Sequence, residues 1–448
     1  MRERTFSTIF LMLGLVLSYY LGYLRGLGVL SEEQLRSLIV FIAVLAMLAT
    51  EYRHRTVAVL TGILALWFLG IVSGKEMLEF IDLEVIGLLF GAMTIVGALE
   101  KAGFFEIVGS YFSKLPVRNA FILVITLSSV TAILSAFLDN VTTTLFMMPI
   151  ALSISRERNL NPIPVLLGLA MASNIGGMAT LVGSLPNILI ASAIGLTFND
   201  FLLNATPLSI ISFIVSLTIL YLSFREELSK ELPLETREEE VREVDKPFLI
   251  VSLISFTILL ILFFSQDFTG IKPGEAAILA SLPVFVFGGQ RIINVLQNIE
   301  WNAIIFVGGL LVLVGGLEKT GLLKLIALTV IKYITLNPVV TATSMLWISA
   351  SLSAVIDNVP VAAVLIPIIK EIYSVSGNEA LWWSLVAATA LGGITTPISS
   401  IPNIIAYSTL KEEGYDITFK DFLKIGLIVF TSATLAVNIY LVIRYLLT

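Results

Sequence analysis

A chain of 448 residues with 57% hydrophobic and only 13% charged residues falls well below the roughly 25% charge of soluble domains, so the sequence belongs in a bilayer. Its net charge of −6 lies mostly outside the apolar runs, and no basic stretch suits nucleic acid. The absence of cysteine excludes disulfides, iron–sulfur clusters and thiolate metal sites.

The apolar segments are continuous and do not alternate, so they read as helices that satisfy their own backbone hydrogen bonds. The sequence predicts an all-α polytopic fold of about 11 transmembrane helices plus two re-entrant hairpins. The first spans fall at 6–24, 36–50, 56–74 and 84–99. The first is read as a span and not a removable signal, because no small-residue cleavage site follows it. His54, the single histidine, lies between spans in "EYRHR" and carries no predicted chemistry.

Arg2, Arg4, Arg53, Arg55, Lys101, Lys114, Arg118, Arg156 and Arg158 then share one side, which should be the cytoplasm. The segment from Asn119 to Ser155 starts and ends there, which predicts a hairpin with "LDNVTT" at its tip and Asp139 near mid-membrane. A span interrupted at "IGGMATLVGSLP" follows, then a span from Thr206 to Phe224. The charged stretch from Arg225 to Lys246 reads as a solvated linker. Two further spans are predicted at 248–264 and 274–290.

An internal repeat organises the rest. A shift of 218 positions aligns "IDLEVIGLLFGAMTIVGALEKAG" at Ile81 with "IEWNAIIFVGGLLVLVGGLEKTG" at Ile299, identical at nine of 23 positions. The same shift lays "SAFLDNVTTTLFMMPI" at Ser135 on "SAVIDNVPVAAVLIPI" at Ser353, and a shift of 216 lays "IGGMATLVGSLPNI" at Ile175 on "LGGITTPISSIPNI" at Leu391. The expected organisation is N-terminal scaffold spans over 1–80, a first repeat over 81–224, a linker over 225–247, connecting spans over 248–298 and a second repeat over 299–448. By span parity the repeats are inverted in the plasma membrane, with the N-terminus cytoplasmic and the C-terminus outside.

Two constellations carry candidate chemistry. Asp139 and Asp357, each followed by an asparagine (Asn140, Asn358), stand where an ionised carboxylate costs roughly 2.5–3.5 kcal/mol. Carboxylate plus amide makes a hard-oxygen cation site that also accepts a proton; capping of the following helix is the structural alternative. Asn140, Asn358 and the two aspartates are the candidate sodium ligands. The second constellation is the pair of glycine-, serine- and proline-broken segments, with Asn174, Gly176, Gly177, Thr180, Ser184 and Asn187 in one half. Gly392, Gly393, Thr395, Thr396, Ser400 and Asn403 are their counterparts in the other. Similar breaks in two inverted halves point to a transporter's binding site, where unwound carbonyls coordinate cations and half-helix N-termini face negative charge.

With these motifs in view, the chain resembles the ion transporter superfamily from about Leu83 to Ile443, in particular the arsenite permease and NhaD-type sodium/proton antiporter branch. Citrate and dicarboxylate carriers and the melanosomal P protein are its relatives. The resemblance implies two hairpin tips and two unwound segments around a site that moves as an elevator. In dicarboxylate carriers Ser-Asn-Thr motifs at the tips help bind sodium and substrate; here aspartates stand there, which favours a cation exchanged for a proton. Thr142 is matched only by Pro360 and Asn174 only by Ala390, so the half-sites differ.

The leading expectation is sodium/proton antiport with Na⁺ and H⁺ as the coupled ions, no cofactor, small ions and lipid as partners, and a homodimer through the early spans. An arsenite, citrate-like or dicarboxylate permease is the alternative. An intramembrane aspartyl protease is remote, because the aspartates sit in duplicated contexts; no enzymatic activity is expected.

Overall fold

A computed structural model describes residues 30–49, 54–113, 116–233, 244–333 and 337–446. The predicted first span and the centre of the charged linker lie outside these residues. The first half contains α1 (Glu32–Ala49), α2 (Arg55–Phe68), α3 (Gly74–Phe80), α4 (Leu83–Lys101), α5 (Phe104–Ser113), α6 (Ala120–Phe137), α7 (Asn140–Glu157), α8 (Pro162–Met178), α9 (Leu185–Ile194), α10 (Phe198–Ser223) and the single turn α11 (Arg225–Leu228). The second contains α12 (Lys246–Phe264), the short α13 (Gln266–Thr269), α14 (Pro273–Phe287), α15 (Arg291–Asn298), α16 (Trp301–Lys319), α17 (Leu322–Tyr333), α18 (Pro338–Ser353), α19 (Asn358–Ser376), α20 (Ala380–Gly392), α21 (Ile401–Glu412) and α22 (Phe419–Leu446). The fold is all-helical, and among the described residues seven helices are long and apolar enough to cross a membrane. Other predicted spans fall on shorter apolar helices such as α2, α8 and α14.

The helices repeat as the sequence does. A step of 218 carries the start of α2 onto that of α14, α4 onto α16, α5 onto α17, α6 onto α18 and α7 onto α19. A step of 216 carries Leu185 of α9 onto Ile401 of α21. The correspondence thus reaches back into helices ahead of the three blocks of recognisable identity, where lipid-facing positions ask only for apolar side chains.

Two compact units result. One comprises residues 1–82, 301–335 and 366–375, and the other residues 83–300, 336–365 and 376–448. In the first, α16 packs on α2 through glycines: a Cβ at Gly309 would lie 2.6 Å from a Val59 methyl, and one at Gly316 2.8 Å from Leu66. In the second, the equivalent pair α4 and α14 meets more closely still, since a Cβ on Gly91 would lie 2.4 Å from the Ala277 backbone. Lipid tails supply no hydrophobic drive between helices, so such close approach and its dispersion contacts hold the pair.

The second unit also contains the hairpin α6–α7 and the broken pair α8–α9. Each hairpin arm has 18 residues, about 27 Å at 1.5 Å per residue, so the depth of Asp139 follows from the arms' tilt and not their length. Asn119 caps α6 through Ile122 N–H, and Pro149 lies inside α7 as Pro367 lies inside α19. α8 is buried over nearly its whole length, wedged against α6, α7 and α10. A Cβ at Gly176 would meet the Ala132 carbonyl oxygen at 2.2 Å, and one at Gly392 the Ala350 carbonyl at 2.5 Å. Gly176→Ala and Gly392→Ala should each destabilise the purified protein by about 1–3 kcal/mol, the usual overpacking cost. Gly74→Ala, with nothing within 4 Å, should be neutral; thermal unfolding of the detergent-solubilised protein checks all three.

Candidate functional site

The site grows from the break between α8 and α9. α8 stops at Met178 and α9 restarts at Leu185, with Pro186 at its start. The carbonyls at the end of α8 and in the break are buried, where an unpaired acceptor costs about 1–3 kcal/mol. Asn187 meets them: its Nδ2 donates to the carbonyls of Gly177 (3.0 Å), Met178 (3.2 Å) and Thr180 (2.7 Å). With three acceptors on one side, the amide presents its oxygen to the other. That Oδ1 is buried and has no hydrogen-bond partner.

The hairpin is stitched to this break by hydroxyls. Ser135 Oγ donates to the Ser173 carbonyl at 2.7 Å, Ser173 Oγ donates to the Asn140 carbonyl at 2.9 Å, and Thr180 Oγ1 donates to the Ala136 carbonyl. Thr144 Oγ1 donates to Ser173 Oγ at 3.0 Å.

The second half repeats four of these bonds. Asn403 Nδ2 donates to the carbonyls of Gly393 (2.9 Å) and Thr396 (2.7 Å), as Asn187 does to Gly177 and Thr180. Ser353 Oγ donates to the Thr389 carbonyl, and Thr396 Oγ1 to the Ala354 carbonyl, as Ser135 and Thr180 do in the first half. Ser399 stands where the first half has Gly183, and its hydroxyl donates to the Gly393 carbonyl at 2.8 Å.

Asn174 joins the halves and has no amide mate. Its Nδ2 donates to the Ala170 carbonyl and to Ser400 Oγ, both at 3.0 Å. Its Oδ1 is buried without a hydrogen-bond partner and lies 3.3 Å from where a Cβ on Gly393 would stand. Any side chain at 393 would crowd that oxygen. Asn174, Asn187 and Asn403 are 2%, 1% and 0% exposed, so the two bare oxygens face the interior.

The aspartates stand differently. Asp139 is the cap of α7: its Oδ1 accepts from the N–H groups of Val141 and Thr142, each at 2.9 Å, and its Oδ2 accepts from Thr142 Oγ1. Asp357 accepts from Val359 N–H at 3.0 Å. Both are half-buried. The capping alternative read from the sequence is therefore present in both halves, with Thr142 reinforcing only the first.

The other candidates sort by what they touch. Asn140 reaches the break through its main-chain carbonyl. Thr395 Oγ1, in the break, donates back to the Leu391 carbonyl in the last turn of α20. Gly176 and Gly392 serve close packing, while Gly177 and Gly393 supply carbonyls. Ser184 and Ser400 begin α9 and α21 without a side-chain cap bond. Asn358 is buried at the second tip. Several carbonyls at the two breaks are engaged by the Asn187 and Asn403 amides, and the Asn174 and Asn187 side-chain oxygens stand beside them without a hydrogen-bond partner. Ser135, Ser173, Thr144, Ser353, Thr389 and Ser399 were not singled out as site residues, although the repeat alignment superposes Ser135 on Ser353.

Paired broken helices stitched by hydroxyls to neighbouring helix ends fit a membrane transporter, and comparison with known proteins gives the family. The citrate transporter (CitMHS) family model matches residues 43–388, and the chain belongs to that family, within the ion transporter superfamily. An uncharacterized transporter of Mycobacterium tuberculosis is 32% identical over 417 residues, covering 91% of this chain and 97% of the relative. The mouse (Mus musculus) P protein is 26% identical, covering 94% of this chain and 61% of that protein. The crystal structure of the YdaH transporter of Alcanivorax borkumensis superposes with a TM-score of 0.59 at 13% identity, over 85% of this chain and 88% of that one, a likeness of fold alone.

Replacing Asn187 or Asn403 with alanine would strand the carbonyls they bind. Each substitution should destabilise the protein by about 2–4 kcal/mol, since more than one buried acceptor loses its donor. Thermal melts of the two variants, which should shift by similar amounts, check the equivalence.

Proposed function

We propose that this transporter exchanges sodium for protons by elevator-type alternating access. The observation that carries the reading is the pair of buried, unpartnered amide oxygens, Asn174 Oδ1 and Asn187 Oδ1, beside a hairpin tip that bears a carboxylate. Hard oxygens without donors suit a small hard cation, which would relieve the cost of leaving them bare. Ser173, the chain neighbour of Asn174, is bonded to the carbonyl of Asn140, the neighbour of Asp139, so tip and break belong to one assembly. Na⁺ and H⁺ would compete for Asp139 and Asp357, and mutually exclusive occupancy yields exchange without a further device. Asn140, Asn358 and Thr142 would assist as polar neighbours.

A second reading rests on α9 and α21, whose starts at Ser184 and Ser400 lack side-chain caps. Helix N-termini favour anions, and the family's description is that of citrate carriers. A citrate-like anion, or an arsenite-like oxyacid held by hydroxyl and amide groups, would then be the cargo, and the tip aspartates would have to be neutralised by an accompanying cation or proton. In either reading the chain sits in the plasma membrane with its N-terminus cytoplasmic and its C-terminus outside, and a dimer of scaffold spans steadies the moving part.

Purified protein in acid-loaded liposomes carrying an internal pH dye separates the two. Na⁺ or Li⁺ added outside should drive proton efflux, and Asp139→Asn or Asp357→Asn should slow it by at least about tenfold, the loss expected when a charged ligand is removed. Labelled citrate uptake in the absence of any cation-driven proton movement would replace the antiport reading with the anion one.

A further inference from the structure

A cavity of about 370 Å³ opens in the second unit between the starts of α4 and α14 and the end of α9. This volume falls in the roughly 300–1,000 Å³ range of small-molecule sites. None of the residues assigned above to the tips and breaks as ligands lines it. Its polar lining is Glu84, Ser192, Gln266 and Lys272. Its lining also includes Leu181, inside the break itself, and Ile188, next in the chain to Asn187.

The wall of this cavity is built, not loose. Glu84 Oε2 accepts from Gly274 N–H at 3.2 Å, which holds the carboxylate at the start of α14. Gln266 Oε1 accepts from Phe198 N–H at 3.1 Å, and Asn199 Nδ2 donates to Asp267 at 2.6 Å. These bonds clasp α13 onto the start of α10 beside the cavity. Glu84 is half-buried whereas Lys272 is exposed, so the carboxylate is fixed in the wall and the ammonium can turn to solvent. By the 218-residue step Glu84 corresponds to Asn302 and Lys272 to His54. The glutamate at this place therefore belongs to one half only.

We infer that this cavity is a water-filled antechamber of the first broken helix, and that Glu84 biases it toward cationic over anionic solutes. The inference rests on the transport reading for the cavity's purpose. Its test reads access and charge preference instead of flux, so the two stand or fall separately.

The chain contains no cysteine, so Ser192→Cys in the full-length protein supplies a single thiol on the cavity wall. Intact cells and inside-out vesicles would be treated with membrane-impermeant cationic and anionic methanethiosulfonates, with Ser216→Cys, buried in α10, as the inert control. The thiol at 192 should react from one face only. Its cationic-to-anionic rate ratio, normalised to a free thiol, should exceed unity by up to roughly tenfold, as expected where a charged cleft concentrates counter-ions. Glu84→Gln, which keeps an acceptor for Gly274 N–H, should bring the ratio down to about one or below, and Lys272→Gln should raise it. Failure to modify the thiol from either face, or a ratio that Glu84→Gln leaves unchanged in folded protein, would overturn the inference. If sodium-driven flux is absent while the Glu84-dependent ratio is present, the antechamber stands and the sodium reading falls. If flux is present and the thiol is inert, the reverse holds.

Discussion

The rest of the site depends on one interaction, the side-chain amide of Asn187 donating into the carbonyls of its own broken helix, with Asn403 doing the same in the other half. A helix can open at membrane depth only if the freed backbone groups find partners inside the protein. Here an asparagine ten residues on from the glycine carbonyl is such a partner. The same bonds decide what remains for a ligand, because an amide that spends its hydrogens on backbone must turn its oxygen away. In Asn187 that oxygen is left bare.

Duplication supplies the scaffold and divergence supplies the chemistry. The stitching bonds of Ser135 and Ser353, of Thr180 and Thr396, and of Asn187 and Asn403 are shared by both halves, as is the close approach at Gly176 and Gly392. The differences lie where a ligand would sit or pass. Asn174 faces the second break whereas Ala390 carries no polar group. Thr142 supports the first aspartate whereas proline replaces it at position 360. Glu84 lines a cavity whereas Asn302 is its counterpart in the repeat. The two halves thus share one architecture and carry unequal polar groups.

The helical nature of the chain, its helix starts after Asp139 and Asp357 and its two breaks were legible in the sequence, because each follows from local rules. Continuous apolar runs leave no alternative to helix in lipid, and an aspartate at a helix start accepts from N–H groups two and three residues on. Paired glycines weaken a helix and a proline is tolerated only at the start of the next one, so Gly-Gly followed by a Pro-bearing restart marks a break. The aspartates' local role, capping, was likewise readable at short range. What was not readable was the state of each oxygen. Spacing along the chain marks carbonyls of an unwound segment as available, yet whether they are depends on which side chain folds back over them.

The sequence by itself determined a membrane-embedded, all-helical, duplicated chain with carboxylates at two turns and breaks at two equivalent places. Only the tertiary structure decided that Asn174 meets Ser400 across 226 positions, that the hairpin backbone is tied to Ser173, and that a cavity lined by Glu84 and Lys272 reaches the first break. The physical reason is that hydrogen-bond saturation is a property of neighbours in space. Local patterning says where polar groups must be satisfied, and packing alone says which of them are left over to bind something else.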